Sequence, residues 1–168
     1  NVKDYGAKGD GTSNDTNAIN LAIAAALAGR IVYFPTGTYL ITSEIDITAN
    51  YITLMGDLGA TLKRGANDEM LRVTGDRCSI LNLRFDGNKA NFATANSVVI
   101  ISSDYNLIDN CEIFNGTGHG LHLDGTSLSC DFNRIHNCIL HENDLDGLDI
   151  NTADDCFITS NYIYSNSI

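Results

Sequence analysis

The sequence predicts an all-β fold, a solenoid of stacked three-strand coils forming a parallel β-helix, entered through one short α-helix. Three observations carry this. Segments headed by Ile80, Ile108, Ile135 and Ile158 resemble one another and recur at separations of 28, 27 and 23 residues. Self-similarity at such a period marks a solenoid. Each repeat holds about three short runs without helical period, punctuated by Gly, Asn and Asp, which excludes leucine-rich and helical repeats. Finally, residues 106–125, NLIDNCEIFNGTGHGLHLDG, return in kind at 133–149 and begin again at 157–166. A sandwich of hairpins fits less well, because Asn-Gly and Asp-Gly pairs do not join the runs at regular two-residue loops.

Taken in order, residues 1–12 read as a short strand followed by tight turns. Asp15 is a suitable N-cap for a helix over 16–28, with Gly29 as its stop. Ile19, Ala22, Ile23, Ala26 and Leu27 share one face of that helix. An apolar face before a run of strands suits the open end of the stack, whose bare edges would otherwise invite aggregation. Short strands are expected at 31–34, 38–42, 44–47, 51–55, 60–63, 70–73, 79–85 and 97–101. In the coils that follow, Ile108, Cys111 and Ile113 should stack on Ile135, Cys138 and Leu140. Asn110 should stack on Asn137 at a bend, where Asn tolerates the left-handed conformation. Residues 1–30 thus form the strand, turns and cap, and 31–168 the coils of one domain. Residues 165–168 stop in mid-coil, so further coils or a partner are expected beyond them.

Composition narrows the partners. The net charge of −11, from 10 basic and 21 acidic residues, argues against a general nucleic-acid binder. No apolar run approaches the roughly 20 residues of a membrane-spanning helix. None of the five cysteines forms a C-x-x-C pair. Cys111 and Cys138 are read as stacked interior thiols, with a disulfide across adjacent coils as the alternative.

The opening NVKDYGAKGDGTSNDTNAINLAI, followed by IVYFPTGTYLIT, resembles the N-terminal signature of the pectate-lyase-like superfamily. The relevant branch includes tailspike-type proteins, rhamnogalacturonase- and glucanase-like enzymes and alginate C5-epimerases. SILNLRFDGN at 79–88 resembles a further segment of that family. The resemblance implies a right-handed coil and action on, or binding of, polysaccharides along the outer face. It does not extend to epimerase chemistry. His119, His122 and Asp124 stand where the epimerase segment has Tyr, Asp and His, and Asn151 stands for its later Asp. Residues 144–149, DLDGLD, partly resemble the N-T-D-G-x-D pattern of galacturonases.

Candidate chemistry lies on one strand face. His122 and Asp124 alternate with Leu121 and Leu123, so the polar pair shares a face while the leucines point inward. Asp149 and Asn151 alternate around Ile150 in the next coil. Adjacent coils should bring these groups to within about 5–7 Å. An imidazole beside a carboxylate suits acid–base work near neutral pH. His119, His122, Asp124 and Asp149 are therefore the catalytic candidates. Asn151 and Asp146, with Arg84 and Lys89 from the basic window 63–89, are the substrate-binding candidates. The same residues read equally as the ordinary polar outer ladder of a solenoid. No cofactor or metal is expected, except that Ca²⁺ would suit the acidic cluster Asp144, Asp146, Asp149, Asp154 and Asp155. The expected protein recognises polysaccharide, and degrades or modifies it as a lyase, hydrolase or epimerase-like enzyme, outside the cell or on a virion surface. The alternative is a non-catalytic structural or adhesive module of a tailspike or surface filament, which would self-associate.

Overall fold

The structure is a computed structural model that describes residues 1–26 and 29–167. Three parallel sheets run the length of a right-handed β-helix. The first holds Asp10–Asn14, Gly37–Ile41, Ala60–Arg64, Arg84–Asp86, Glu112–Phe114, Ile139–His141 and Tyr162–Tyr164. The second holds Ile31–Phe34, Thr53–Gly56, Ser79–Leu81, Leu107–Asp109, Arg134–His136 and Phe157–Thr159. The third holds Ile45–Ile47, Leu71–Val73, Val99–Ile101, Leu121–Asp124 and Leu148–Asn151. Each strand pairs in parallel with its equivalent one coil away, as the repeat period requires.

Alternation fills the interior. Ile80, Ile108, Ile135 and Ile158 form one column. Tyr39, Leu62, Phe85, Ile113, Leu140 and Ile163 form another. Ile45, Leu71, Val99 and Leu121 line the third sheet's inner side and are fully buried. Each such side chain contributes about 1.5–3 kcal/mol of burial. Cys111 and Cys138 stack as expected, and all five cysteines are free thiols. Burial pushes the Cys111 thiol well up, so it behaves as a small hydrophobe.

Asn sets the corners. At the bend between the second and first sheets, Asn82, Asn110 and Asn137 all have φ between 51° and 57°. Their amides form a ladder, Asn110 Nδ2 donating to Asn82 Oδ1 at 2.8 Å and Asn137 Nδ2 to Asn110 Oδ1 at 3.1 Å. Asn82 splits the single strand expected over 79–85 into two, because a left-handed residue cannot continue a strand. A second, buried Asn column closes the corner between the third and second sheets. Asn133 Oδ1 accepts from Asn106 N at 2.8 Å, and Asn106 Oδ1 accepts from Cys78 N at 2.8 Å.

The N-terminal segment departs from the sequence reading. Val2–Tyr5 is a 3-10 turn, and the first strand is Asp10–Asn14. The Asn1 side chain caps that turn by accepting from Lys3 N, so these residues coil before any strand begins. The helix is Thr16–Ala25, with the backbone extended at Ala26. Leu27 and Ala28, which were expected within it, lie outside the described residues. Asp15 stands at the N-cap position without capping. Its carboxylate is buried and accepts instead from Lys8 N at 2.6 Å and Gly9 N at 3.1 Å. The free end of the helix is satisfied by Asn14 Oδ1, which accepts from Thr16 N at 3.0 Å. Ile19 and Ala22 are buried, so the helix covers the first coils with the expected face.

Candidate functional site

The outer face of the third sheet carries polar side chains around a buried Ile100. One outward row runs Asp46, Arg72, Ile100, His122, Asp149 across five successive coils. A neighbouring register pairs Asp124 with Asn151. His119 lies just before the strand Leu121–Asp124, in the loop that leads into it. Here glycine is a packing requirement. A Cβ on Gly120 would lie 2.7 Å from Gly147 O, the backbone of the loop carrying Asp146. Gly120 N also donates to Asp146 O at 2.9 Å, locking the two loops together. Gly120→Ala is expected to cost about 1–3 kcal/mol through overpacking. Urea midpoints would measure it, and an unchanged midpoint would mean that the loops tolerate separation.

This packing gathers four of the sequence candidates. His122 Nε2 lies 3.2 Å from Asp149 Oδ2, and His119 Nε2 lies 3.7 Å from the same oxygen. His119 Nδ1 lies 3.3 Å from Asp146 Oδ2. The two imidazole centroids are 5.6 Å apart. His122 is the least exposed of the four side chains and Asp146 is half-exposed. Asp124 stands beside them with a different partner. Its Oδ1 accepts from the Thr126 hydroxyl and from Thr126 N. The hydroxyl first, then the backbone N–H and the nearby His122, hold its carboxyl below the usual range against an opposing effect of burial. An ionised Asp124 beside an imidazole that can carry a proton is suitable equipment for proton transfer.

The other candidates are placed elsewhere. Arg84 is on the first sheet, pairs with Glu112 and lies 5.1 Å over the Phe114 ring. It lines an open groove of about 550 Å³ floored by Asn82, Asn110 and Asn137. That groove carries no imidazole–carboxylate pair. The imidazole–carboxylate pair makes the third sheet the stronger candidate. Lys89 Nζ donates to Asp144 Oδ1 at 3.0 Å and to Glu142 O at 2.7 Å, fastening the rim of the loop that carries Asp146. Of the five aspartates read as a Ca²⁺ cluster, Asp146 and Asp149 come together with His119. Asp144 is occupied by Lys89.

Sequence reasoning missed a second cluster on the same face. Arg72 Nε lies 3.4 Å from Glu44 Oε2, its Nη2 lies 2.5 Å from Glu69 Oε2, and its Nη1 donates to Ser102 Oγ at 3.4 Å. Burial first, then contact with Glu69, push the Glu44 carboxyl up to about 7, against the opposing pull of Arg72. The available signal was register, since Arg72 sits two strands from His122 in one row. Native Glu44 holds its proton to about pH 7, whereas the unfolded chain releases it near 4.5. The native state therefore binds the extra proton between those values, and stability falls as pH rises through that window. Glu44→Gln is expected to flatten the decline, read as urea midpoints from pH 4.5 to 7. An unaltered slope would assign the titration to another group.

Residues 1–166 match the profile of the family described as "Rhamnogalacturonase A/epimerase, pectate lyase-like". The chain belongs to that family. Within the wider group of relatives, alginate lyase 7 of Azotobacter vinelandii is 34% identical over 114 residues, covering 54% of this chain and 13% of the lyase. The A-module of mannuronan C-5 epimerase AlgE6 from Azotobacter vinelandii superposes with a TM-score of 0.81 at 22% identity, over 98% of this chain and 50% of the module. The Dettilon tailspike protein superposes with a TM-score of 0.70 at 13% identity, over 94% of this chain and 38% of the tailspike. This member of the family therefore spans half or less of each relative, and the two structural likenesses show the fold alone.

Proposed function

We propose that this chain is a polysaccharide-acting β-helix module that lays an extended glycan along the outer face of its third sheet. His122 is the proton-transfer group, with the Asp149 carboxylate beside it. The observation that carries the reading is the 3.2 Å approach of His122 Nε2 to Asp149 Oδ2 across adjacent coils on an open polar face. An imidazole changes charge near neutral pH, which suits it to proton transfer. Family membership supports a glycan as substrate, as do relatives named for alginate and mannuronan. A glycan substrate of this kind would place the protein outside the cell or on a virion surface. Surface labelling of intact cells or particles tests that, and purely internal protein would exclude it.

The decisive assay offers the protein uronate polysaccharides and neutral glucans in parallel and follows both chain length and binding. Turnover of one class is expected. Binding without turnover would leave a recognition module, and neither would remove the glycan reading.

A further inference from the structure

We propose that His119, Asp146 and Asp149 form a site for a single divalent transition cation of the Zn²⁺ class. One ligand atom from each of the three lies within 4.8 Å of the others. The nearest approach, 3.3 Å from His119 Nδ1 to Asp146 Oδ2, is telling. Donors held about 2.0–2.1 Å from a tetrahedral ion stand about 3.3 Å apart.

Direction supports the same assignment. His119 Nδ1 is a buried atom without a hydrogen-bond partner, although a carboxylate oxygen stands 3.3 Å away. The spacing suits a hydrogen bond and the alignment does not. Metal ligands behave in this way, because their lone pairs aim at a common point rather than at one another. The backbone bond from Gly120 to Asp146 keeps the two loops at this separation.

Donor chemistry selects the ion. Ca²⁺ takes six to eight oxygens, whereas one imidazole with two carboxylates suits Zn²⁺ and its neighbours. Three protein donors leave a fourth position for water or a ligand oxygen. Charge agrees, since the chain carries −11 overall and Lys89 is committed to Asp144. Binding of the ion stands independently of the glycan reading; any use of it on a glycan rests on that reading.

The test titrates chelator-treated full chain with ZnCl₂, and separately with CaCl₂, by calorimetry and thermal melting, without glycan. One Zn²⁺ per chain and a raised melting temperature are expected. His119→Ala and Asp146→Asn should each weaken binding at least about tenfold, while His136→Ala on the second sheet should not. Asp146 is a half-exposed surface residue, so Asp146→Asn keeps the test valid if His119→Ala fails to fold. Absence of Zn²⁺ binding, equal binding in Asp146→Asn, or Ca²⁺ binding as tight as Zn²⁺ would each overturn the assignment.

Discussion

His122→Ala is expected to lower turnover of the responsive glycan about 10²- to 10⁴-fold, the usual contribution of a positioned acid–base group. The side chain sits on the outward row of the third sheet, between Ile100 and Asp149. Its inner neighbours Leu121 and Leu123 are fully buried and untouched by the change. The fold should therefore survive and the loss should fall on kcat. Asp149→Asn removes the charge that faces both imidazoles and should also reduce turnover, with an altered pH profile. Arg84→Ala discriminates between faces. Arg84 lies on the first sheet with Glu112, so turnover should remain as in the parent chain. A His122→Ala variant within about threefold of the parent would move the chemistry away from this pair.

The largest effect on stability is expected from Asn133→Leu, which keeps the side chain's size and removes its polar atoms. Asn133 is fully buried. Its Oδ1 accepts from Asn106 N at 2.8 Å, and its Nδ2 donates to Ser103 O and Cys130 O at 2.9 Å each. The substitution strands Asn106 N where water does not reach and takes one donor each from Ser103 O and Cys130 O, which keep Asn106 Nδ2 and the Cys156 thiol. One buried orphan costs about 1–3 kcal/mol and each lost bond about 0.5–1.5 kcal/mol, so a loss of roughly 2 kcal/mol or more is expected. Leu cannot replace the bond to the next coil, so neighbouring coils at this corner should part first. Hydrogen exchange would show that as faster exchange at Asn106 N. A loss below about 1 kcal/mol would mean that the corner is held by the apolar columns alone.

The sequence by itself determined the coil, because the signal is repetition. Every recurrence of the Ile80, Ile108, Ile135 and Ile158 segments reports the same strand, and alternation within each run states which side faces inward. It also located the polar face, since His122 and Asp124 must share a side of any strand that buries Leu121 and Leu123. The Asn110 bend was legible because few other residues tolerate positive φ.

Tertiary structure decided the partners. Local pattern cannot say that Asp15 turns away from the helix to collect Lys8 N and Gly9 N. That choice depends on which amides are left free when the N-terminal turn folds back. Nor can it separate Arg84 from His122, because both are outward polar residues on short strands. Only the order of corners within a coil puts one on the first sheet and the other on the third. The Glu44, Glu69 and Arg72 cluster and the His119, Asp146 and Asp149 cluster arise in the same way. Each joins a pair three residues apart, Glu69 with Arg72 or Asp146 with Asp149, to a residue of the preceding coil, Glu44 or His119, adjacent only because parallel coils stack about 4.8 Å apart. In a solenoid the sequence writes each rung, and a site appears only when neighbouring rungs are brought into register.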